Sequence, residues 1–258
     1  MKKMELDFRG KRVLVTGSTM GIGRGIAEAF HQAGATVAIN GRTRDSVANA
    51  ITAIGTDRLI AAPGDFSSSA QRNAAIEKLL RELGGLDILV NNAGGGDDCP
   101  IDTITEAYWE KVVALNLKGA FFATQACLPA LRASRGCIIN VSSGLGVIAG
   151  FAGTIVYCMT KSAMLQMTKS MAFELAADGV RVNSLVPGWT DTPMIRRENE
   201  KAGNNVLIDY INYTTPVGRA GTVEECAGAA LYLAAPFASF TTGAALVVDG
   251  GLTAGRYI

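Results

Sequence analysis

Seven short apolar runs alternate with helical patterns along the chain, and that alternation limits the fold more than any other feature. The runs fall at 12–16, 36–40, 59–62, 88–91, 137–141, 182–185 and 245–248. Helical periodicity fills the gaps at 21–32, 44–54, 68–83, 105–132, 157–177 and 223–233. Apolar strands that alternate with helices imply a parallel sheet covered on both faces. Right-handed crossovers set successive strands parallel. The expected fold class is therefore α/β, a doubly wound seven-stranded sheet flanked by helices. At 258 residues the chain is long for one domain and short for two, but large α/β units use this length as one domain. A single domain over 1–258 is expected.

Composition narrows the partners. Lys plus Arg is 24 and Asp plus Glu is 23, so the formal net charge is +1. Near-neutrality leaves no electrostatic footprint for nucleic acid or an anionic membrane. Residues 1–11 are charged and lack an apolar secretory core. The longest charge-free run, 136–160, is broken by Asn140, Ser142, Ser143 and several glycines, so it reads as soluble core plus loop. The five cysteines show no paired spacing and suggest neither disulfides nor a metal site. A reducing cytoplasm is the expected setting.

Ligands of such sheets bind beyond the carboxyl ends of the strands, where strand order reverses. The residues just after each strand are therefore the ones to read. After the first strand comes Gly17-Ser18-Thr19-Met20-Gly21-Ile22-Gly23, running into a helix. Glycines there let the backbone turn tightly and approach a ligand. A helix start aimed at the gap suits a pyrophosphate. The loop after the second strand should meet an adenosine ribose. It carries Arg42 and no acid until Asp45. A guanidinium fork fits a 2′-phosphate, so NADP(H) is expected over NAD(H). Asp65, followed by Phe66, is placed to accept from an adenine amino group; a helix N-cap reads equally well. Asn92-Ala93-Gly94 lets the backbone lie against the adenosine.

Tyr157 and Lys161 stand four residues apart on one helical face. A phenol with a pKa of about 10 is a poor base, and a neighbouring cation lowers that value. Ser143, with Ser142 as runner-up, ends the fifth strand, where a hydroxyl can meet a substrate carbonyl. Asn116 sits among apolar residues of the long helix, where a buried amide needs a partner or a task. Holding a water at a kink is such a task.

Taken together these residues resemble the short-chain dehydrogenase/reductase family in its common single-domain form. The likeness runs from about 10 to 252 and rests on motifs in order: Thr16-Gly17-x-x-x-Gly21-Ile22-Gly23, Asn91-Asn92-Ala93-Gly94, Asn116, Ser143, Tyr157-x-x-x-Lys161, and Pro187-Gly188 with Thr190 and Thr192. The resemblance implies a Rossmann-type fold and hydride transfer between NAD(P)H and a carbonyl or secondary alcohol. It implies that Tyr157 is the general acid/base and that Ser143 orients the carbonyl. Lys161 would bind the nicotinamide ribose and lower the Tyr157 pKa, and Asn116 would hold a relay water. It also implies cofactor contacts at Pro187, Gly188, Thr190 and Thr192. A homotetramer built through the long helix and the Tyr157 helix is implied, with Phe121, Met164, Met167 and Met171 expected to be exposed on them.

His31, the only histidine, reads as packing or surface, and Cys158 as packing. Polar residues at 190–217 read as a mobile lid over the substrate. The walls at 94–99 and 144–151 complete the pocket. Leu145, Val147, Ile148 and Phe151 favour a small-molecule substrate with apolar parts. Two other readings compete: a dinucleotide sensor without chemistry, and a dehydratase or epimerase on the same scaffold.

Overall fold

The computed structural model describes residues 6–148, 150–203 and 205–255. Residues 1–5 of the charged amino-terminal stretch, position 149 of the apolar wall and position 204 of the expected lid lie outside the described residues. Seven strands form one parallel sheet: β1 (Arg12–Val15), β2 (Thr36–Gly41), β3 (Leu59–Pro63), β4 (Ile88–Asn91), β5 (Cys137–Val141), β6 (Arg181–Pro187) and β7 (Ala245–Val248). Their order is β3-β2-β1-β4-β5-β6-β7, so strand order reverses between β1 and β4.

The strands are apolar on both faces, and the period-2 alternation sorts their side chains. Val13, Val15, Val37, Ile39 and Val90 join one core with helices α1 (Gly21–Gln32), α2 (Arg44–Ile54) and the later α9 (Val223–Ala234). Phe30 anchors that core, edge-on to Phe8 at 5.0 Å. Leu14, Ala38, Leu89 and Ile138 point the other way. They pack on α3 (Ser69–Leu83), α5 (Gly119–Ser134) and α6 (Ile155–Leu175). The expected helix at 105–132 is α4 (Glu106–Val113) followed by a π turn, Ala114–Lys118, and α5. The extra residue of the π turn sits around Asn116, where such bulges re-aim a side chain.

The segment at 190–217 holds two helices, α7 (Pro193–Ala202) and α8 (Val206–Thr214). Thr192 caps α7 by accepting from Ile195 N, and Pro193 occupies the first turn, where its missing N–H costs nothing. Met164, expected on the exposed face of α6, is fully buried. Phe121 is exposed as expected, while Met167 and Met171 are half-buried.

A polar seam stiffens the sheet just below its carboxyl edge. Asn91 and Asn140 are register partners on β4 and β5. Asn91 Nδ2 donates to Asn140 Oδ1 and to Thr124 Oγ1 of α5, both at 2.9 Å. Asn140 Nδ2 donates in turn to Thr168 Oγ1 of α6 at 2.9 Å. These buried bonds fix α5 and α6 against the sheet, because breaking one strands a polar atom in the core.

Candidate active site

The glycine turn follows β1, and its glycines are sterically required. An added Cβ at Gly17 would lie 2.9 Å from Ala93 Cα, and one at Gly23 2.2 Å from Asn92 Nδ2. Gly17 and Gly21 also take left-handed φ values of 63° and 58°. The turn is clasped to β4 through Thr16, whose Oγ1 accepts from Asn92 N and Ala93 N, both at 2.9 Å. Asn92 Nδ2 donates to Thr16 O and Gly17 O. The cleft between β1 and β4 is thereby lined by backbone, and the first turn of α1 leaves its N–H groups without helical partners. A phosphate-bearing dinucleotide fits such a cradle.

Around it, several expected contacts are spoken for. Ser18 is buried, donating to Val15 O at 2.7 Å and accepting from Asn40 N at 2.9 Å. Its side chain braces the turn. Asn40 Oδ1 accepts from Gly17 N at 3.0 Å, which ties β2 to the same turn. Thr19 is half-buried beside Gly41, Ile22 packs on the first core, and Met20 is exposed. Arg42 is exposed directly after β2, with no hydrogen bond or ion pair to any described residue. Asp65 Oδ1 accepts from Ser67 N at 2.8 Å and Ser67 Oγ at 2.7 Å; the N-cap of α3 is Ser68. The Phe66 ring is buried in the second core. Gly188 sits against Asp249, where a Cβ would clash at 2.7 Å, and Gly188 N donates to Val248 O. Thr190 is buried and pairs with Gly221, and the Thr192 methyl lies near Gly21. The β6 loop therefore closes over the glycine turn.

Ser143, Tyr157, Lys161 and Asn116 converge on the carboxyl edge of β4 and β5. The Lys161 ammonium is buried and donates to Val141 O at 2.8 Å, with 5.6 Å to the Tyr157 ring centre. Ser142 Oγ donates to Lys161 O at 2.7 Å, so that hydroxyl is committed to holding α6 on β5. Ser143 Oγ accepts from Leu145 N at 3.2 Å, and the Ser143 hydroxyl is near enough to the Tyr157 phenol to act on its pKa. Asn116 is fully buried; its Oδ1 accepts from Gly95 N at 2.8 Å and its Nδ2 donates to Thr160 Oγ1 at 3.0 Å. A Cβ at Gly94 would meet both Asn116 Oδ1 and Lys161 Nζ at 3.1 Å. Pro187 O lies beside Gly144, next to this cluster.

Burial dominates the electrostatics of Tyr157 and Lys161. In the protein alone the Tyr157 pKa is raised: burial of the phenol outweighs the lowering effect of Ser143, and Cys158 adds to the rise. Burial also lowers Lys161 from its ordinary 10.5 to about 8. At neutral pH the amine is still mostly protonated, a cation held in an apolar setting. Cys158 bonds Thr154 Oγ1, and buried His31 contacts Asp57 O at 3.0 Å, so both serve packing. Among the described residues no group of three His, Cys, Asp or Glu side chains is placed to hold a metal ion, and no helix is long and apolar enough to cross a membrane. Sequence reasoning missed Trp189 and Tyr210, which join Phe151 at the outer rim.

An open parallel sheet with a glycine cradle at its switch point is the architecture of a dinucleotide-binding domain. Comparison with known proteins agrees. A family model described as enoyl-(acyl carrier protein) reductase matches residues 17–253. The 3-oxoacyl-(acyl-carrier-protein) reductase FabG of Chlamydia pneumoniae is 36% identical over 97% of this chain and 100% of its own. The gluconate 5-dehydrogenase of Gluconobacter oxydans is 35% identical, covering 96% of each. The crystal structure of a gluconate 5-dehydrogenase from Burkholderia cenocepacia, in complex with NADP and tartrate, superposes with a TM-score of 0.89 at 33% identity, over 97% of this chain and 98% of that one. The chain belongs to the short-chain dehydrogenase/reductase family, NAD(P)H-using oxidoreductases that act on CH–OH and C=O groups.

The buried Lys161 implies a stability cost. Its folded pKa lies below the unfolded value, so the unfolded chain binds more protons between about 8 and 10.5, and stability rises with pH across that window. Lys161→Met removes the desolvated charge. Without ligand, the variant is expected to melt above the wild type at neutral pH, the gap closing as pH approaches 10.5, as followed by circular dichroism. A wild-type midpoint at neutral pH would show that the ammonium carries no such cost.

Proposed function

We propose that the protein transfers a hydride between NADP(H) and a carbonyl or secondary alcohol, with Tyr157 passing the proton. The convergence of Ser143, Tyr157 and Lys161 beside the glycine cradle carries this reading. A bound nicotinamide dinucleotide supplies the hydride donor or acceptor. Gly17, Gly21, Gly23, Asn92, Ala93 and Gly94 hold the dinucleotide through close backbone approach, while Ser18, Asp65 and Phe66 shape its adenosine side. Thr190 and Thr192 close over it from the β6 loop. Lys161 holds the nicotinamide ribose and Ser143 orients the substrate oxygen. The Tyr157 hydroxyl gives its proton to that oxygen in reduction and takes it back in oxidation. A raised Tyr157 pKa suits the acid direction, because the phenol stays protonated until substrate charge develops. Asn116, spanning Gly95 N and Thr160 Oγ1, positions the proton path toward solvent.

Unpaired Arg42 supports NADP over NAD, since its fork is free for a 2′-phosphate. Helices α7 and α8 form the substrate lid on a single-domain enzyme. The filled Ser–Tyr–Lys set speaks against a dinucleotide sensor.

Oxidation of NADPH, followed at its nicotinamide absorbance with a ketone panel, tests the activity. Tyr157→Phe is expected to lower kcat at least about a hundredfold while NADPH affinity stays within about twofold, by fluorescence titration. Near-wild-type turnover would displace Tyr157 from its role. Arg42→Asp is expected to shift the kcat/KM ratio of NADPH to NADH by about tenfold or more toward NADH; an unmoved ratio would remove Arg42 from phosphate recognition. A groove of about 540 Å³ between α5 and α6, lined by Leu117, Phe121, Phe122 and Met167, supports assembly of a homotetramer. Light scattering should give four times the chain mass of 26.9 kDa, and a monomeric mass would reject the assembly.

A further inference from the structure

The loops after β5 and β6 carry two large rings that meet outside the sheet edge. Phe151 and Trp189 lie nearly parallel, with ring centres 6.0 Å apart and 15° between their planes. Tyr210 of α8 meets Trp189 edge-on, at 6.2 Å and 86°. Trp189 directly follows Gly188 at the end of β6. Phe151 is tied to the start of α6, because Thr154 N and Thr154 Oγ1 both donate to Phe151 O, at 3.1 and 2.7 Å. Tyr157 stands in the turn that follows. The three rings therefore rise from the same edge of the sheet as Ser143 and Tyr157.

These rings hold one another without being buried. Phe151 is 41% exposed, Tyr210 42%, and Trp189 half-buried. Stacked rings left open to solvent beside a reacting centre form a surface for a ligand rather than a core. Charged groups nearby are already engaged. Arg196 makes two bonds to Asp191, at 2.8 and 2.9 Å, and Arg219 two to Glu225, at 3.0 and 2.7 Å. Arg197 Nε donates to Pro193 O at 3.2 Å.

We infer that Phe151, Trp189 and Tyr210 form the specificity-determining wall of the substrate site, and that the wall selects carbonyl compounds bearing a flat unsaturated ring. The inference rests on the oxidoreductase reading above and names its substrate class. An aromatic body gains offset-stacked and edge contacts on this wall in addition to buried area. An alkyl chain gains area alone. A polyol acid loses water from its hydroxyls and finds the Arg196 and Arg219 guanidinium groups occupied.

The test uses benzylacetone, its ring-hydrogenated analogue and the straight-chain methyl ketone of equal carbon count, with 5-ketogluconate as the polyol ketone. All are assayed with NADPH and the full-length protein. The wild type should prefer benzylacetone to its saturated analogue by about fivefold in kcat/KM, through KM, and should favour it over 5-ketogluconate. Trp189→Ala should cut the benzylacetone-to-saturated ratio to near unity. Phe151→Leu, which keeps apolar bulk at an exposed position and removes only the ring, should lower the same ratio about twofold. Turnover of all ketones with no preference for the aromatic ring, or preference for 5-ketogluconate, would overturn the aromatic wall and leave the oxidoreductase reading standing. Tight NADPH binding with no turnover of any ketone would overturn the reading itself, and the wall with it.

Discussion

The Thr16 hydroxyl holds the centre of this structure together. It accepts two backbone N–H groups from the end of β4 and sits at the point where strand order reverses. The connections after β1 and β4 leave the sheet in opposite directions, and this clasp limits how far the two loops can part. The glycine turn must then pass so close to Ala93 and Asn92 that no side chain fits. Backbone lines the cleft because the clasp leaves room for nothing else. Nearly every other part of the site is placed relative to that cleft.

The residues proposed to react are placed by a second set of ties, between α6 and β5. Lys161 reaches Val141 O, and Ser142 reaches back to Lys161 O. Deeper in the sheet, Asn140 holds Thr168 of the same helix. The helix that carries Tyr157 is therefore pinned at two levels, and the phenol is held at a fixed height above the sheet edge. Such pinning brings an ammonium into an apolar setting at a cost in stability. Functional sites concentrate strain of this kind.

Much of the fold was legible in the residues because both faces of each strand are apolar. Buried parallel strands announce themselves as short Val-, Ile- and Leu-rich runs, and 137–141 is the plainest case. The glycine turn, Asn92-Ala93-Gly94, Ser143 and Pro187-Gly188 were legible because they lie at or just after the ends of those runs, and Tyr157 with Lys161 through their four-residue helical spacing. What escaped notice depends on tertiary contact. Helix α7 carries mostly polar residues and little core signal, though the Thr192-Pro193 pair is a helix-start signature, while α8 is apolar but only nine residues long and buries Ile211. Met164 was misplaced because α6 packs on its neighbours over more than one face. The direction of the Tyr157 pKa depends on enclosure, which spacing does not report. The rings of Phe151, Trp189 and Tyr210 are separated by dozens of residues and meet only once β5, β6 and α8 are in position.

The glycine cradle and the ring cluster differ in what they ask of evolution. The cradle is written in main-chain geometry, so nearly any side chain added there collides with its surroundings. The rim is written in side-chain identity on loops already anchored at Gly188 and Thr154, so its chemistry can be exchanged while the scaffold stays put. A lineage with this layout can acquire new clients by repainting a few rim positions, and keeps its coenzyme machinery untouched while it does so.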